Sequence, residues 1–130
     1  MAHLVDVRVG GHDCFDRVAF ELGGTGLPGY AVSYQPGPIT EDASGEPVAV
    51  AGSAFLVVRM EPASGFDIDA GTPTYAGPER IAGPGGGPVA EVVRSGDFEA
   101  VLTWVIGVEG ERPFTVNELG DPSRLVIDVG

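Results

Sequence analysis

Lysine is absent from this chain, and cysteine is nearly so. Seven arginines face 19 acidic residues, for a formal net charge of −12. With no basic patch to displace counterions, nucleic acid is not expected as a partner. Anionic polymers are repelled as well, unless divalent cations bridge them. The single cysteine, Cys14, excludes an intrachain disulfide. No apolar run approaches the ~20 residues of a membrane helix, so no direct membrane span is expected. Nothing reads as a secretory signal, and Met1-Ala2-His3 reads as a start just ahead of the first strand. No cofactor-binding motif is visible, and none is expected. With two histidines there is little material for a catalytic triad. Cys14 and His12 sit on one turn, where a nucleophile and its base rarely align. The chain is expected not to be an enzyme.

What is present points to strands. Hydrophobic residues make up 43% of the chain, which suffices for a core, and 21 Gly with 11 Pro break any long helix. Leu4–Val9 alternates, with Val5, Val7 and Val9 on one face and Asp6 and Arg8 on the other. Val18, Phe20 and Leu22 alternate inward, Arg17, Ala19 and Glu21 outward. Tyr30, Val32 and Tyr34 share a face of the third strand, and Ala54–Met60 is a nearly continuous apolar strand.

The pattern then repeats. Val89–Arg94 followed by Phe98–Val105 copies Val5–Val9 followed by Phe15–Leu22. Pro113-Phe114 opens a strand as Pro28-Gly29-Tyr30 does, and Arg124–Val129 closes the second half as Phe55–Met60 closes the first. The spacing predicts an all-β sandwich of two small antiparallel or mixed sheets. It has about eight strands in two pseudo-repeated halves, residues 4–61 and 89–130, within one domain of residues 1–130. Residues 62–88 form a long irregular insertion without a counterpart. Aligning the copies places Val101, Thr103 and Val105 in the core and turns Leu102, Trp104 and Ile106 outward. Glu109-Gly110-Glu111 reads as a tight hairpin turn into residues 112–119.

Two segments carry a resemblance. His12-Asp13-Cys14-Phe15-Asp16-Arg17 and Pro73-Thr74-Tyr75-Ala76-Gly77-Pro78, with the closing Arg124–Val129, resemble AMIN-type domains. More closely, the chain resembles the AMIN-like domain of actinobacterial envelope proteins and lipoproteins, over nearly its whole length. Gly stands in that pattern where this chain has Cys14. The resemblance implies a sandwich of two related sheets and an extracytoplasmic, cell-envelope or secreted setting, with the native signal or lipid anchor outside this chain. It also implies a non-catalytic targeting module that binds cell-wall glycan, peptidoglycan or an envelope protein. The alternatives are a structural or protein-interaction domain without glycan affinity, working through an edge strand, and a small-ligand or calcium binder.

Candidate binding residues follow. Trp104, the only Trp, with Leu102 and Ile106 makes an apolar stripe on which sugar faces would stack. The competing arrangement has Phe66, Tyr75 and Ile81 of the insertion folding over the stripe, which would otherwise promote aggregation. In a middle case the insertion covers part of the stripe and leaves a groove. Arg17 points outward and would pair with Asp128 or Asp97 across the sandwich edge; Asp16 stands beside it. His12, Asp13 and Asp16 could ligate a metal, but they match no zinc or calcium spacing. The simpler role for Asp13 and Asp16 is to cap their own turn by accepting backbone N–H groups.

Overall fold

The computed structural model describes Met1–Gly130 and contains no helix. No helix is therefore long and apolar enough to cross a membrane. The strands in chain order are β1 Ala2–Gly11, β2 Asp16–Gly24, β3 Gly29–Gln35 and β4 Ala54–Glu61. The insertion adds four short ones: β5 Ala63–Ser64, β6 Phe66–Asp67, β7 Thr72–Pro73 and β8 Arg80–Ala82. Then come β9 Val89–Phe98, β10 Val101–Val108, β11 Phe114–Leu119 and β12 Arg124–Val129.

Two five-stranded sheets pack face to face as an all-β sandwich. The first runs β11-β12-β2-β1-β5, the second β3-β4-β10-β9-β8. Every pairing within them is antiparallel except β1 with β5. Each half contributes two strands to each sheet. The order β11-β12-β2-β1 matches β3-β4-β10-β9 if the halves are exchanged. The duplication is therefore interleaved, and neither half can close a core without the other. Phe20 of β2 and Trp104 of β10 meet between the sheets, ring centroids 6.0 Å apart and edge-on. Both are fully buried, as are Leu4, Leu56, Val58, Met60, Leu125 and Ile127. Val18, Phe20 and Leu22 point inward as their alternation predicts.

The frame of β10 differs from the prediction by one residue. Leu102, Trp104 and Ile106 face the core between the sheets, while Thr103 and Val105 lie on the outer face. The reason is the turn at Glu99-Ala100, where both residues have positive φ, 52° and 64°. That is the two-residue hairpin connection, usually signalled by Asn or Gly. Here Glu and Ala hide it, so residues 98–105 read as one unbroken strand. The outer face is covered by the segment between β3 and β4, not by the insertion. The Asp42 carboxylate accepts from the Thr103 hydroxyl at 2.9 Å, and the Asp42 N–H donates to the Ser95 carbonyl at 3.1 Å. A Cβ on Gly107 would run into the backbone of Ala51 in the same segment.

Two smaller expectations are also corrected. A bulge between Leu4 and Asp6 shifts β1, so Leu4 and Val7 are buried and Val5 is exposed. Glu109–Glu111 makes no hairpin, since β10 and β11 belong to different sheets. It is a crossover, matching the one between β2 and β3.

The insertion closes an open side of the sandwich. Tyr75 stands edge-on to Trp104, with centroids 5.6 Å apart, and donates its hydroxyl to the Pro78 carbonyl at 2.6 Å. The Thr74 hydroxyl donates to the Leu4 carbonyl at 2.7 Å. Burial raises the Tyr75 pKa above the ordinary 10.0; the charge of Asp6 adds to this and Arg94 opposes it. A raised folded value means that stability is fully present below the unfolded pKa and falls as pH rises through the folded one. Melting temperature is expected to fall more steeply above pH 10 in wild type than in Tyr75→Phe, which should be slightly less stable at pH 7 for want of one hydrogen bond. Parallel curves would show that Tyr75 does not link folding to pH.

Candidate functional site

The segment His12–Arg17 joins β1 to β2 and is built as a small platform. The His12 N–H donates to the Phe15 carbonyl at 2.8 Å, closing the turn around Asp13 and Cys14. Cys14 is exposed and keeps a negative φ, so this turn does not need the conformational freedom of Gly. The His12 ring stacks on Phe15 with centroids 4.7 Å apart and planes 13° from parallel. The Arg17 guanidinium lies 5.5 Å from the Phe15 centroid. Arg17 also makes a two-pronged pair with Asp128, its neighbour on β12, at 2.8 and 3.0 Å. That hydrogen-bonded pair raises the Arg17 pKa further against a smaller burial effect, so its charge is permanent.

Asp16 has the opposite role. It shares the inward parity of Val18 and is 2% exposed. Its carboxylate accepts the Val89 N–H at 3.0 Å, at the start of β9 in the other sheet. Gly87 leaves room for it, because a Cβ there would overlap the carboxylate. Asp16 therefore ties the two halves together under the platform instead of capping its own turn.

Above Asp16, the outer face of the first sheet carries a depression of about 240 Å³. Arg8 of β1, Arg17 of β2, Arg124 of β12 and His12 rim it. Ala19 and Val126 form its floor and Leu119 one wall. These side chains meet because β2 lies between β1 and β12: Arg8, Ala19 and Val126 form one row across the sheet, with Arg17 to one side of it and Arg124 to the other. Arg8 is held by Glu21 at 3.0 Å and Asp6 at 2.6 Å, whose hydrogen bonds raise its pKa, Glu21 more than Asp6. Arg124 differs: its guanidinium donates to the carbonyls of Pro122 and Gly120, at 3.1 and 3.2 Å, and no carboxylate pairs with it. Chemically the depression offers three guanidiniums over a small apolar floor, two of them already paired with carboxylates and Arg124 without one. That arrangement suits a carboxylate attached to a short apolar group.

The family model of the AMIN-like domain matches residues 2–130. This chain belongs to the AMIN-like domain family. No curated protein and no solved structure matches it. AMIN-like domains are extracytoplasmic binding modules and are generally non-catalytic.

Within this AMIN-like domain the sequence-predicted residues scatter. Trp104, Leu102 and Ile106 are fully buried between the sheets and present no surface to a ligand. Tyr75 is 9% exposed and seals the Trp104 edge, so no groove opens between them. Phe66 stands on the small β6–β7 ribbon and is largely exposed. Asp97 accepts from the Ser64 hydroxyl at 3.1 Å and the Gly65 N–H at 2.9 Å, anchoring the insertion. Arg17 pairs with Asp128 within one sheet, not across the sandwich edge, and not with Asp97. His12, Asp13 and Asp16 do not come together as a group that could hold a metal ion. Of the predicted residues, Arg17 and His12 line the depression, while Asp16 faces the interior beneath it. Sequence reading missed Arg8, Arg124 and Leu119. Strand alternation marks both arginines as outward, but only the sheet order puts them beside Arg17.

Proposed function

We propose that this AMIN-like domain is a non-catalytic binding module of the cell envelope, working outside the cytoplasm, and that it holds peptidoglycan on the outer face of the first sheet. The observation that carries the reading is the gathering of Arg8, Arg17 and Arg124 with His12 on a chain of net charge −12. Three of seven positive residues meet there, around an apolar floor. Stem peptides of the wall present carboxylates beside methyl groups. A guanidinium takes a carboxylate through two parallel hydrogen bonds, and Arg124, without a carboxylate of its own, is the side chain free to do so. The methyl groups would rest on Ala19 and Val126, and a sugar or peptide plane against the exposed His12 ring. The acidity of the remaining surface limits binding to this face and disfavours polyanionic wall polymers.

Co-sedimentation with purified peptidoglycan tests the reading. The domain is expected in the pellet at low ionic strength and to leave it as salt is raised, since the contacts are exposed charges. A domain that stays in the supernatant at every salt concentration would refute it.

A further inference from the structure

The sandwich has one long edge with no device against pairing. The second sheet ends on β3, which follows β4 in unbroken register from Gly29 to Gln35, without a bulge. Gly29–Gln35 contains no charged residue and no proline. No backbone N–H or carbonyl of this strand bonds to anything except β4. Alternate groups therefore point outward, ready for another strand. The neighbouring edge, β11, carries Glu118, and the opposite edges, β5 and β8, are two and three residues long. Tyr30 and Tyr34 hold β3 in place. Their hydroxyls meet Glu118 and the Arg112 carbonyl, each at 2.6 Å, and the Tyr34 ring stands edge-on to Phe114.

We propose that β3 pairs with β3 of a second copy of this chain, antiparallel and about a twofold axis at Val32. The first argument is the strand itself. Tyr30-Ala31-Val32-Ser33-Tyr34 reads nearly the same in both directions. Antiparallel pairing about Val32 sets Tyr30 opposite Tyr34 of the second copy, and Ala31 opposite Ser33. Aromatic residues face aromatic residues and small ones face small ones, as a self-complementary twofold contact requires. The second argument is charge. Two chains of net charge −12 repel each other, so a contact between copies must avoid acidic residues. Among the four sheet edges, β3 is the only long one that does. The outcome is one continuous ten-stranded sheet built from two second sheets. Ala31 and Ser33 are exposed on its outer side, and the arginine face on the first sheet stays open.

Sedimentation velocity over a range of protein concentrations tests this, at low and at raised salt. The mass of wild type is expected to rise with concentration from 13.3 kDa toward about twice that value. Salt should favour the dimer by screening the repulsion, opposite to its effect on wall binding. The double variant Ala31→Asp/Ser33→Asp puts like charges directly opposite and is expected to remain monomeric at every concentration, with unchanged near-ultraviolet circular dichroism and the melting point that wild type has when dilute. In a Cys14→Ser background, Ala31→Cys/Ser33→Cys should oxidise to a covalent dimer cross-linked between positions 31 and 33 of different copies. Wild type that stays at 13.3 kDa throughout overturns the proposal, including the case in which it instead captures an extended peptide of another protein. So does a dimer that the aspartates leave intact.

Discussion

Trp104→Ala is expected to cost about 3–5 kcal/mol of stability, the usual loss for truncating a large buried aromatic side chain. Trp104 is fully buried and stands where both halves and the insertion meet, with Phe20 on one side and Tyr75 on another. Each aromatic pair adds about 0.5–1.5 kcal/mol beyond buried area. A domain of this size has roughly 5–15 kcal/mol in total, so the variant should keep little margin. Its melting temperature is expected to fall by about 10 °C or more. Trp104→Phe should lose much less. The indole N–H has no hydrogen-bond partner, so its removal forfeits none, and a ring remains against Phe20 and Tyr75. Thermal melts followed by circular dichroism at the strand signal read both variants. An alanine variant as stable as wild type would place Trp104 outside the core.

Replacing Arg8 and Arg124 together by Ala is expected to abolish most wall binding while leaving the fold intact. Both guanidiniums lie on the outer face, and neither has a buried partner to strand. A hydrogen bond to a charged group contributes about 1.5–3 kcal/mol, so losing even one of the two from Arg124 weakens binding by about ten- to a hundredfold. Removing Arg8 also leaves Asp6 and Glu21 without their cation, which makes the rim repel a carboxylate. Pellet fractions measured against peptidoglycan concentration give the change in affinity. Melting curves equal to wild type show that the loss belongs to the face. Retained affinity would move the binding site elsewhere.

Much of this architecture is written in local pattern. The doubled strand series, the inward parity of Val18, Phe20 and Leu22, and the shared face of Tyr30, Val32 and Tyr34 follow from alternation alone. Alternation fails on β10 because both its faces are apolar. Residues 101–108 have no polar mark except Thr103, and the turn that sets their frame carries Glu99-Ala100 in place of Asn or Gly. Nor does it distinguish a hairpin from a crossover, so Glu109–Glu111 misleads. The site suffers from a different gap. The motif around His12–Arg17 is visible as a string, yet its chemistry depends on β1, β2 and β12 lying side by side. That adjacency spans more than 100 positions from Arg17 to Asp128 and leaves no local trace. Asp16 shows the same limit: its partner, the Val89 N–H, lies 73 positions away.

The location of the binding face is tested most directly by backbone amide shifts of the labelled domain during titration with a soluble peptidoglycan fragment. Shifts are expected to concentrate at Arg8, His12, Arg17, Leu119 and Arg124, with Trp104 and the β3 edge undisturbed. Perturbations centred on the Phe66 ribbon or on Tyr30–Tyr34, with the arginine face silent, would contradict the account.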